Sequence, residues 1–419
     1  MTKSIIVAAI AGCAFAQLGS DPISPLREGM DRKEAVKITD NIYQAVGFGN
    51  TFLVTTAEGN VIIDTSSTLA APLHVKLLKA RSAAPVRYII LTHGHGDHTG
   101  GVALWKQPGT QVIAQRNQTE FLNYQERLNR FFALRNAAQF VFPQPPPMAW
   151  RGNEGATQLA TILFDDHYEF TLGGVKFEMF STPGETPDHL SVWIPQWRAA
   201  FTGDNFYASF PNIYTLRGTE PRPALNYVHS LDQVLSWRPE ILLPSHGPAT
   251  LGETEIATRV KMYRDAILYV HNAVVMGMND GKDVFTLMRE IHLPEHLNVG
   301  EGYGKLTWSI RGIYEGYAGW FDLNPATMYD APPSSPYADL VKLAGGPDPV
   351  VVRAREVLQQ GRAPEALRLL DAALAADPNH RGAWETRLKA LQVLADSSKN
   401  SNERGWLEYS IRETRAKLK

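Results

Sequence analysis

Three histidines and one aspartate within six residues constrain this chain more than any other feature: His93, His95, Asp97 and His98. Residues 88–91 before them are apolar and partly β-branched, which predicts that a buried strand leads into the group. Intervening glycines prevent a regular helix and let the backbone turn sharply. A helix is expected to begin only after the ligands, at residues 99–101. Since α/β folds place their chemistry at the C-terminal ends of strands, the pattern predicts a metal-binding loop.

Composition narrows both the ligand chemistry and the partners. The chain of 419 residues contains one cysteine, so an internal disulfide and a cysteine-rich zinc site are excluded. Metal ligands must therefore be histidine, aspartate or glutamate. A net charge of -2 gives no indication of nucleic-acid binding, and 44% apolar residues are typical of a soluble globular protein.

The N-terminus resembles an export signal. Lys3 precedes a short apolar run that ends in the small-residue pattern of residues 14–16, as in a cleaved signal peptide. The run is too short to span a bilayer as a mature helix. We therefore expect residues 1–20 to be a signal peptide, the protein to be periplasmic or secreted, and no membrane span. Residues 10–13 equally resemble a lipoprotein cleavage box, which would place a lipid anchor on Cys13.

Strand signals recur in two halves, residues 38–114 and 160–246. Each half alternates apolar strands with helices around a ligand-bearing loop, which predicts two packed sheets with helices outside. In the first half, turn residues at positions 58–60 predict a hairpin between two strands. After Gly252 the pattern is helical throughout, beginning with a long amphipathic helix predicted over residues 253–279. The predicted fold class is α+β, an αββα sandwich over residues 30–252 followed by an all-α domain over residues 253–419.

The helical half carries two further patterns. One is an aromatic stripe, formed by Tyr314, Tyr317, Trp320 and Phe321. The other has tetratricopeptide-like spacing and consists of Gly361, Ala366, Ala373 and Pro378. Since one such repeat cannot bury its own face, it must pack on something. We expect a homodimer through residues 253–330, with an intramolecular core as the alternative for the stripe.

Four ligands in one loop do not suit a single small ion, so a second metal and distant ligands are expected. Three later turns each place one coordinating side chain just past an apolar strand: Glu185, Asp204 and His246. Each turn alone is a weak signal, but together with the loop they form a series at strand ends. His189 is a rival ligand to Glu185.

These motifs, H-x-H-x-D-H, PG-E, GD and SHG in this order, resemble the metallo-β-lactamase-fold hydrolases over about residues 35–250. The resemblance implies two Zn²⁺ per chain, held by seven residues. One metal takes His93, His95 and Glu185, the other takes Asp97, His98 and His246, and Asp204 bridges the two. Asp97 and Asp204 are thereby the predicted catalytic carboxylates.

Glutamate at position 185, where most of that superfamily has histidine, resembles the alkylsulfatase branch. Residues 212–218 (NIYTLRG), 309–325 and 405–409 also resemble that branch. The resemblance implies that Asn212 and Arg217 hold a sulfate group, with a hydroxyl from Tyr214, and that the helical region dimerises.

The sequence departs from the alkylsulfatases at three places. Asp204 stands where they have glutamate, and residues 245–248 read SHGP instead of S-H-H-W. The sequence also stops about where a sterol-carrier-like domain would begin. These departures weaken the substrate assignment more than the metal assignment.

The implied activity is hydrolysis of sulfate esters, with alkyl sulfates foremost, by a water activated between two metals about 3.5–4 Å apart. The planar fork of Arg217 matches two sulfate oxygens, although a structural ion pair with Glu220 or Asp232 is the alternative. Other substrates, namely a lactone, a β-lactam or a phosphoester, and a non-catalytic binding module are the rival functions. His189 and His229 are the sequence candidates for the proton donor to the leaving alcohol.

Overall fold

The computed structural model describes residues 24–143 and 158–419. The predicted signal peptide and Cys13 lie outside these residues. Within them, a search for helices with the length and hydropathy needed to cross a membrane found none.

The first sheet contains seven strands that lie in chain order. They are β1 (Val36–Lys37), β2 (Ile42–Ala45), β3 (Thr51–Thr56), β4 (Gly59–Ile63), β5 (Val86–Ile90), β6 (Gln111–Gln115) and β7 (Ile162–Phe164). Strands β1 to β4 pair antiparallel, and β4 to β7 pair parallel. The hairpin predicted at residues 58–60 is present, since Thr56 pairs with Gly59.

The second sheet contains six strands in the order β13-β12-β11-β10-β9-β8. They are β8 (His167–Leu172), β9 (Val175–Ser181), β10 (Leu190–Ile194), β11 (Ala199–Gly203), β12 (Ile241–Pro244) and β13 (Thr250–Leu251). Only β11 and β12 pair parallel; the other pairs are antiparallel.

Helices flank the sheets and make up the C-terminal region. They are α1 (Ala71–Lys79), α2 (Gly96–Thr99), α3 (Val102–Trp105), α4 (Gln118–Arg127), α5 (Asn129–Gln139), α6 (Ala224–Ser236), α7 (Glu253–Asn279), α8 (Val284–Glu290), α9 (Leu306–Ala318), α10 (Tyr337–Leu343), α11 (Pro347–Gln359), α12 (Ala363–Ala376), α13 (Arg381–Ser397) and α14 (Ser401–Leu418).

Successive side chains of a strand point to opposite faces of its sheet, so the buried residues form separate layers. Phe52 and Val54 point into the core between the two sheets, whereas Leu53 packs with Trp105 on the outer face. The outer face of the second sheet is covered by α6, α7 and α9, whose buried residues share one core with Trp193. The order of layers is helix, sheet, sheet, helix, which confirms the predicted αββα sandwich followed by helices.

The predicted boundary at residue 252 is not a break in packing. Helix α7 begins at the next residue and buries Val260, Ile267 and Val274 in the core that covers the second sheet. The 3.6-residue period places these apolar side chains on one face of the helix. The first part of the helical region is thus built onto the sandwich.

The tetratricopeptide-like spacing corresponds to a run of antiparallel helices. Gly361 has a φ of 77° in the turn between α11 and α12, where glycine adopts the left-handed conformation without strain. Ala366 and Ala373 are fully buried between helices. The last helix, α14, crosses α5 of the sandwich at Gly405, where a Cβ would lie 1.7 Å from the Gln139 carbonyl oxygen.

Candidate metal centre

The seven predicted ligands lie just beyond the ends of four strands: β5, β9, β11 and β12. Because β4 and β5 run parallel, as do β11 and β12, these ends meet at one edge of the sandwich. One local detail differs from the sequence-based expectation. Asp97 and His98 belong to the single helical turn α2, which begins at Gly96 and not after the ligands.

Asp97, His98 and His246 form the first ligand group. His98 Nε2 lies 3.4 Å and His246 Nε2 lies 3.6 Å from Asp97 Oδ2. The ligand atoms of all three residues lie within 4.8 Å of one another. This group has the membership that the sequence assigned to the second metal.

The second ligand group surrounds Glu185. His95 Nδ1 lies 3.9 Å from Glu185 Oε1 and 2.9 Å from His93 Nε2. Asp204 lies between the two groups, since its carboxylate oxygens are 3.8 Å from His93 Nε2 and 2.9 Å from His246 Nε2. This position suits the bridging role predicted for Asp204.

The donor set fits divalent metal ions. His98 Nε2 and Asp204 Oδ1 are buried, lie 3.4 Å apart and have no hydrogen-bond partner among the described residues. Leaving such atoms unpaired costs about 1–3 kcal/mol each, unless a ligand satisfies them. Imidazole nitrogens and carboxylate oxygens are ligands that Zn²⁺ prefers, although other transition metals accept them too.

Asp64 is not one of the seven predicted ligands, but it orients one of them, His98. Its carboxylate accepts hydrogen bonds from Thr92 N and Oγ1 (both 2.8 Å) and from Ser245 Oγ (2.7 Å), and it lies 2.9 Å from His98 Nδ1. The contact fixes the ring of His98 so that Nε2 faces the ligand group. Asp64 itself has a φ of 54°, a strained conformation for a non-glycine residue.

Burial and charge shift the pKa values in opposite directions within the site. Burial lowers the pKa of His93 and of His95 well below the usual value, so both rings are neutral and free to bind a metal. Burial also opposes the charged forms of His98 and His246, but the neighbouring carboxylates of Asp204 and Asp97 together outweigh it. Their pKa values are raised, for His246 to about 9. The carboxylates thus attract positive charge to this point.

The rival ligand His189 has a different role. Its Nε2 accepts a hydrogen bond from Asp204 N (3.1 Å), and its Nδ1 lies 3.2 Å from Thr182 Oγ1. Burial lowers its pKa to about 4. Both ring nitrogens are therefore already engaged, Nε2 by the backbone of the Asp204 turn and Nδ1 by the side chains of Thr182 and Asn205. His229 is exposed on the outer face of α6, so neither histidine suits the proton-donor role.

A small cavity opens beside the ligands. Its lining combines predicted ligands, three aromatic rings and one cation: Phe48, His95, Asp97, Glu185, Asp204, Tyr207, Arg217, His246 and Tyr303. Arg217 therefore faces the metal edge. Within the described ranges, no ion pair joins Arg217 to Glu220 or to Asp232, which pairs with Arg264 instead.

The other predicted sulfate contacts are placed differently. Asn212 is buried, and both amide atoms of its side chain lack a partner among the described residues. Its substrate role stays a prediction. Tyr214 is not among the residues that line the cavity, and its contact with sulfate also stays a prediction. Its side chain is exposed and lies over Gly312 of α9, since the glycine leaves room for it there.

Sequence reasoning missed two groups of residues. The aromatic rings of Phe48 and Tyr207 pack against His246, with the Phe48 ring centroid 5.0 Å from that of His246, and the ring of Tyr303 packs against both. Arg222 and Tyr227 bind Glu185 from the side away from the cavity. A buried arginine has to find an anion, but the sequence did not indicate that Arg222 would be buried.

Two parts of the chain match known families. Residues 45–246 match the metallo-β-lactamase superfamily, and residues 286–417 match the alkylsulfatase dimerisation family. A linear primary-alkylsulfatase of a Pseudomonas strain is 28% identical over 390 residues, which cover 87% of this chain and 74% of the relative. The alkyl/aryl-sulfatase BDS1 of Saccharomyces cerevisiae is 28% identical over 88% of this chain and 62% of its own length.

The fold has close structural relatives. The sec-alkylsulfatase Pisa1 from Pseudomonas superposes with a TM-score of 0.83 over 92% of this chain and 66% of Pisa1, at 22% identity. This likeness concerns the fold. The chain spans less than two thirds of Pisa1 and of the yeast relative.

The fold and the strand-end histidines and carboxylates define a metallo-β-lactamase-fold protein. Its helical region carries the alkylsulfatase dimerisation domain, and its homologues over most of the chain are alkylsulfatases. The chain is therefore similar to alkylsulfatases over most of its length, in line with the resemblance drawn from the glutamate at position 185.

Proposed function

We propose that this protein is a sulfuric ester hydrolase that cleaves alkyl sulfates with two Zn²⁺ ions at the candidate metal centre. The observation that carries the proposal is Arg217, a cation without an ion-pair partner in the described residues, in the same cavity as the ligands. The homology to alkylsulfatases supports the sulfate-ester class.

The geometry gives each residue a task. When bound, two divalent ions supply a Lewis acid and make a nearby water acidic enough to ionise near neutral pH. Arg217 offers two parallel N–H donors that match sulfate oxygens. Arg135 donates hydrogen bonds to the carbonyl oxygens of Leu216 and Arg217, so the loop that carries the guanidinium is fixed to α5.

Tyr303 is the cavity residue best suited to interact with the leaving oxygen. It lines the cavity with Arg217, and burial raises its pKa to about 12, so the phenol keeps its proton at neutral pH. Asn400 and Asn402 of the last helices donate hydrogen bonds to the Tyr303 carbonyl oxygen, both at 3.0 Å. The helical region thereby helps to position this wall of the cavity.

The test is an activity measurement on zinc-loaded protein. We expect release of inorganic sulfate from dodecyl sulfate, with no comparable turnover of nitrocefin, a lactone or a phosphomonoester. If no sulfate is released but one of the other esters is turned over, the proposed substrate class is wrong. That result would not contradict the metal site. Fewer than about 1.5 metal ions per folded chain would contradict a two-metal site.

Assembly and location complete the proposal. The match to the dimerisation family supports a homodimer. The signal-like sequence at residues 1–20 supports export to the periplasm or the medium, with lipidation at Cys13 as the alternative. Mass measurement in solution and fractionation of cells that express the full chain test these two points.

A further inference from the structure

We propose that Arg222 is a positioning residue that makes a glutamate work as a metal ligand at position 185, so that Glu185 and Arg222 together replace one neutral histidine. Arg222 Nη1 lies 2.6 Å from Glu185 Oε1, and the hydroxyl of Tyr227 donates to Glu185 Oε2 at 2.8 Å. The inference rests on the metal site of the proposed function but not on its substrate.

Burial makes this ion pair a strong constraint. The side chains of Arg222 and Glu185 are only 2% and 6% exposed. Removing one member of a buried ion pair leaves the other charge without compensation, which is strongly destabilising. Arg222 does not line the cavity, so it acts on the metal site through Glu185.

Charge balance explains why the two residues belong together. With Glu185, Asp97 and Asp204, the site contains three carboxylates beside the histidines. A histidine at position 185 would leave two. The guanidinium of Arg222 restores the formal charge that a histidine site would have. Without Glu185, the same guanidinium would be a buried, unpaired cation next to two metal ions and would repel them.

Arg222 also connects the metal ligand to the substrate segment. Its Nη1 donates to the Asn212 carbonyl oxygen at 2.8 Å, and its Nε donates to Thr219 Oγ1 at 3.2 Å. Residues 212–219, which include Arg217, are therefore fastened to the side chain that holds Glu185. Outer partners of this kind fix the orientation of a metal ligand.

The test compares Zn²⁺ affinities of the full chain, measured by competition with a chromophoric chelator, and the visible spectrum of the Co²⁺ form. The variants are Glu185→His, Arg222→Met and the double variant. We expect each single change to weaken Zn²⁺ binding by about 10- to 100-fold. The double variant should bind at least about tenfold more tightly than Glu185→His alone, because the unpaired cation is gone.

The control is Arg387→Met, which breaks the ion pair of Arg387 with Asp371 far from the site and should leave Zn²⁺ affinity unchanged. If circular dichroism shows that the methionine variants do not fold, the test uses Arg222→Lys and Arg222→Gln instead. Lysine keeps the charge and should retain metal, and glutamine should lose it. Wild-type affinity in Arg222→Met or Arg222→Gln, or no recovery in a folded double variant, would overturn the inference.

A failure of the proposed function can be distinguished from a failure of the inference on Arg222. If the wild-type chain binds two Zn²⁺ ions but releases no sulfate, the substrate is wrong and the role of Arg222 is still tested by affinity. If the wild-type chain binds no second ion, the two-metal site itself is wrong.

Discussion

The metal edge and one face of the helical region place opposite kinds of side chain in unfavourable surroundings. At the metal edge, His93 and His98 are fully buried among carboxylates. The exposed face, formed by Tyr317, Trp320, Leu323, Met328 and Tyr329, presents large apolar groups to solvent. Trp320 is 75% and Leu323 is 84% exposed.

Both arrangements raise the free energy of the isolated chain. A different kind of partner would lower this free energy in each case. Buried polar atoms without partners require a ligand that supplies charge, which a divalent cation does. Several large exposed apolar groups within one short segment are typical of a surface that another protein covers. The difference supports the proposals that an ion completes the metal edge and that a second chain covers the exposed face.

The largest expected effect follows from removing the charge of Asp204. Asp204→Asn removes the charge of a carboxylate that contacts both ligand groups, at His93 and at His246. We expect fewer than two metal ions per chain and a loss of about 10³-fold in kcat/KM for dodecyl sulfate, which corresponds to about 4 kcal/mol. Metal analysis and steady-state kinetics measure both.

The matched control is Asp165→Asn on the surface. Asp165 pairs with Arg116 and is 66% exposed, so its loss should leave metal content and kcat/KM unchanged. Full metal content in Asp204→Asn would show that the two ligand groups do not depend on a shared carboxylate.

The second prediction separates substrate charge from metal binding. Arg217→Ala removes the guanidinium from the cavity and should lower kcat/KM for sulfate esters by about 10²-fold, since charge-assisted hydrogen bonds contribute about 1.5–3 kcal/mol. Zn²⁺ affinity should stay at the wild-type level. The control Arg127→Ala breaks an exposed pair with Glu120 and should change neither quantity. An unchanged kcat/KM in Arg217→Ala would remove the sulfate assignment.

The third prediction concerns His74, a buried histidine whose ring lies within hydrogen-bond distance of other residues of the chain. His74 Nδ1 lies 3.0 Å from Thr51 Oγ1 and Nε2 lies 3.2 Å from the Val46 carbonyl oxygen, and burial lowers its pKa to about 4. The unfolded chain then binds the proton more tightly, so stability is complete above about pH 6.5 and is lost as the pH falls towards 4.

Urea unfolding of metal-free protein measures this effect. Between pH 7.5 and 5, the free energy of unfolding of the wild type should fall by about 2 kcal/mol more than that of His74→Gln. Parallel pH profiles for the two proteins would mean that His74 keeps its ordinary pKa in the folded chain.

The smallest expected effect tests the exposed face. Trp320→Asp places a charge among the apolar groups and should weaken a dimer by at least about tenfold, since buried tryptophans are frequent interface anchors. Sedimentation equilibrium measures the dissociation constant. Leu69→Asp, at a residue 57% exposed on the sandwich, should leave the mass unchanged. A wild-type mass of one chain at micromolar concentration would refute the dimer and leave this face to another partner.

Much of the architecture was predictable because its determinants are local. Strand alternation and turn residues indicated both sheets, and the confirmed hairpin at residues 58–60 depended on adjacent residues. Helix α7 was expected at residues 253–279 and has those bounds, because its apolar period and glycine start are written in one stretch. The predicted domain boundary at residue 252 did not mark an end of the packing, since α7 packs into the core of the second sheet.

The sequence by itself determined the ligand types and their positions after strands, since a ligand's chemistry and the strand before it lie within a few residues. Only the tertiary structure decided which side chains meet. It brought Phe48 and Tyr303 to the cavity and left Tyr214 outside its lining. It also engaged both ring nitrogens of His189 in hydrogen-bond contacts and joined Arg222 to Glu185. Such contacts join different elements, so they depend on how layers pack and not on any local pattern.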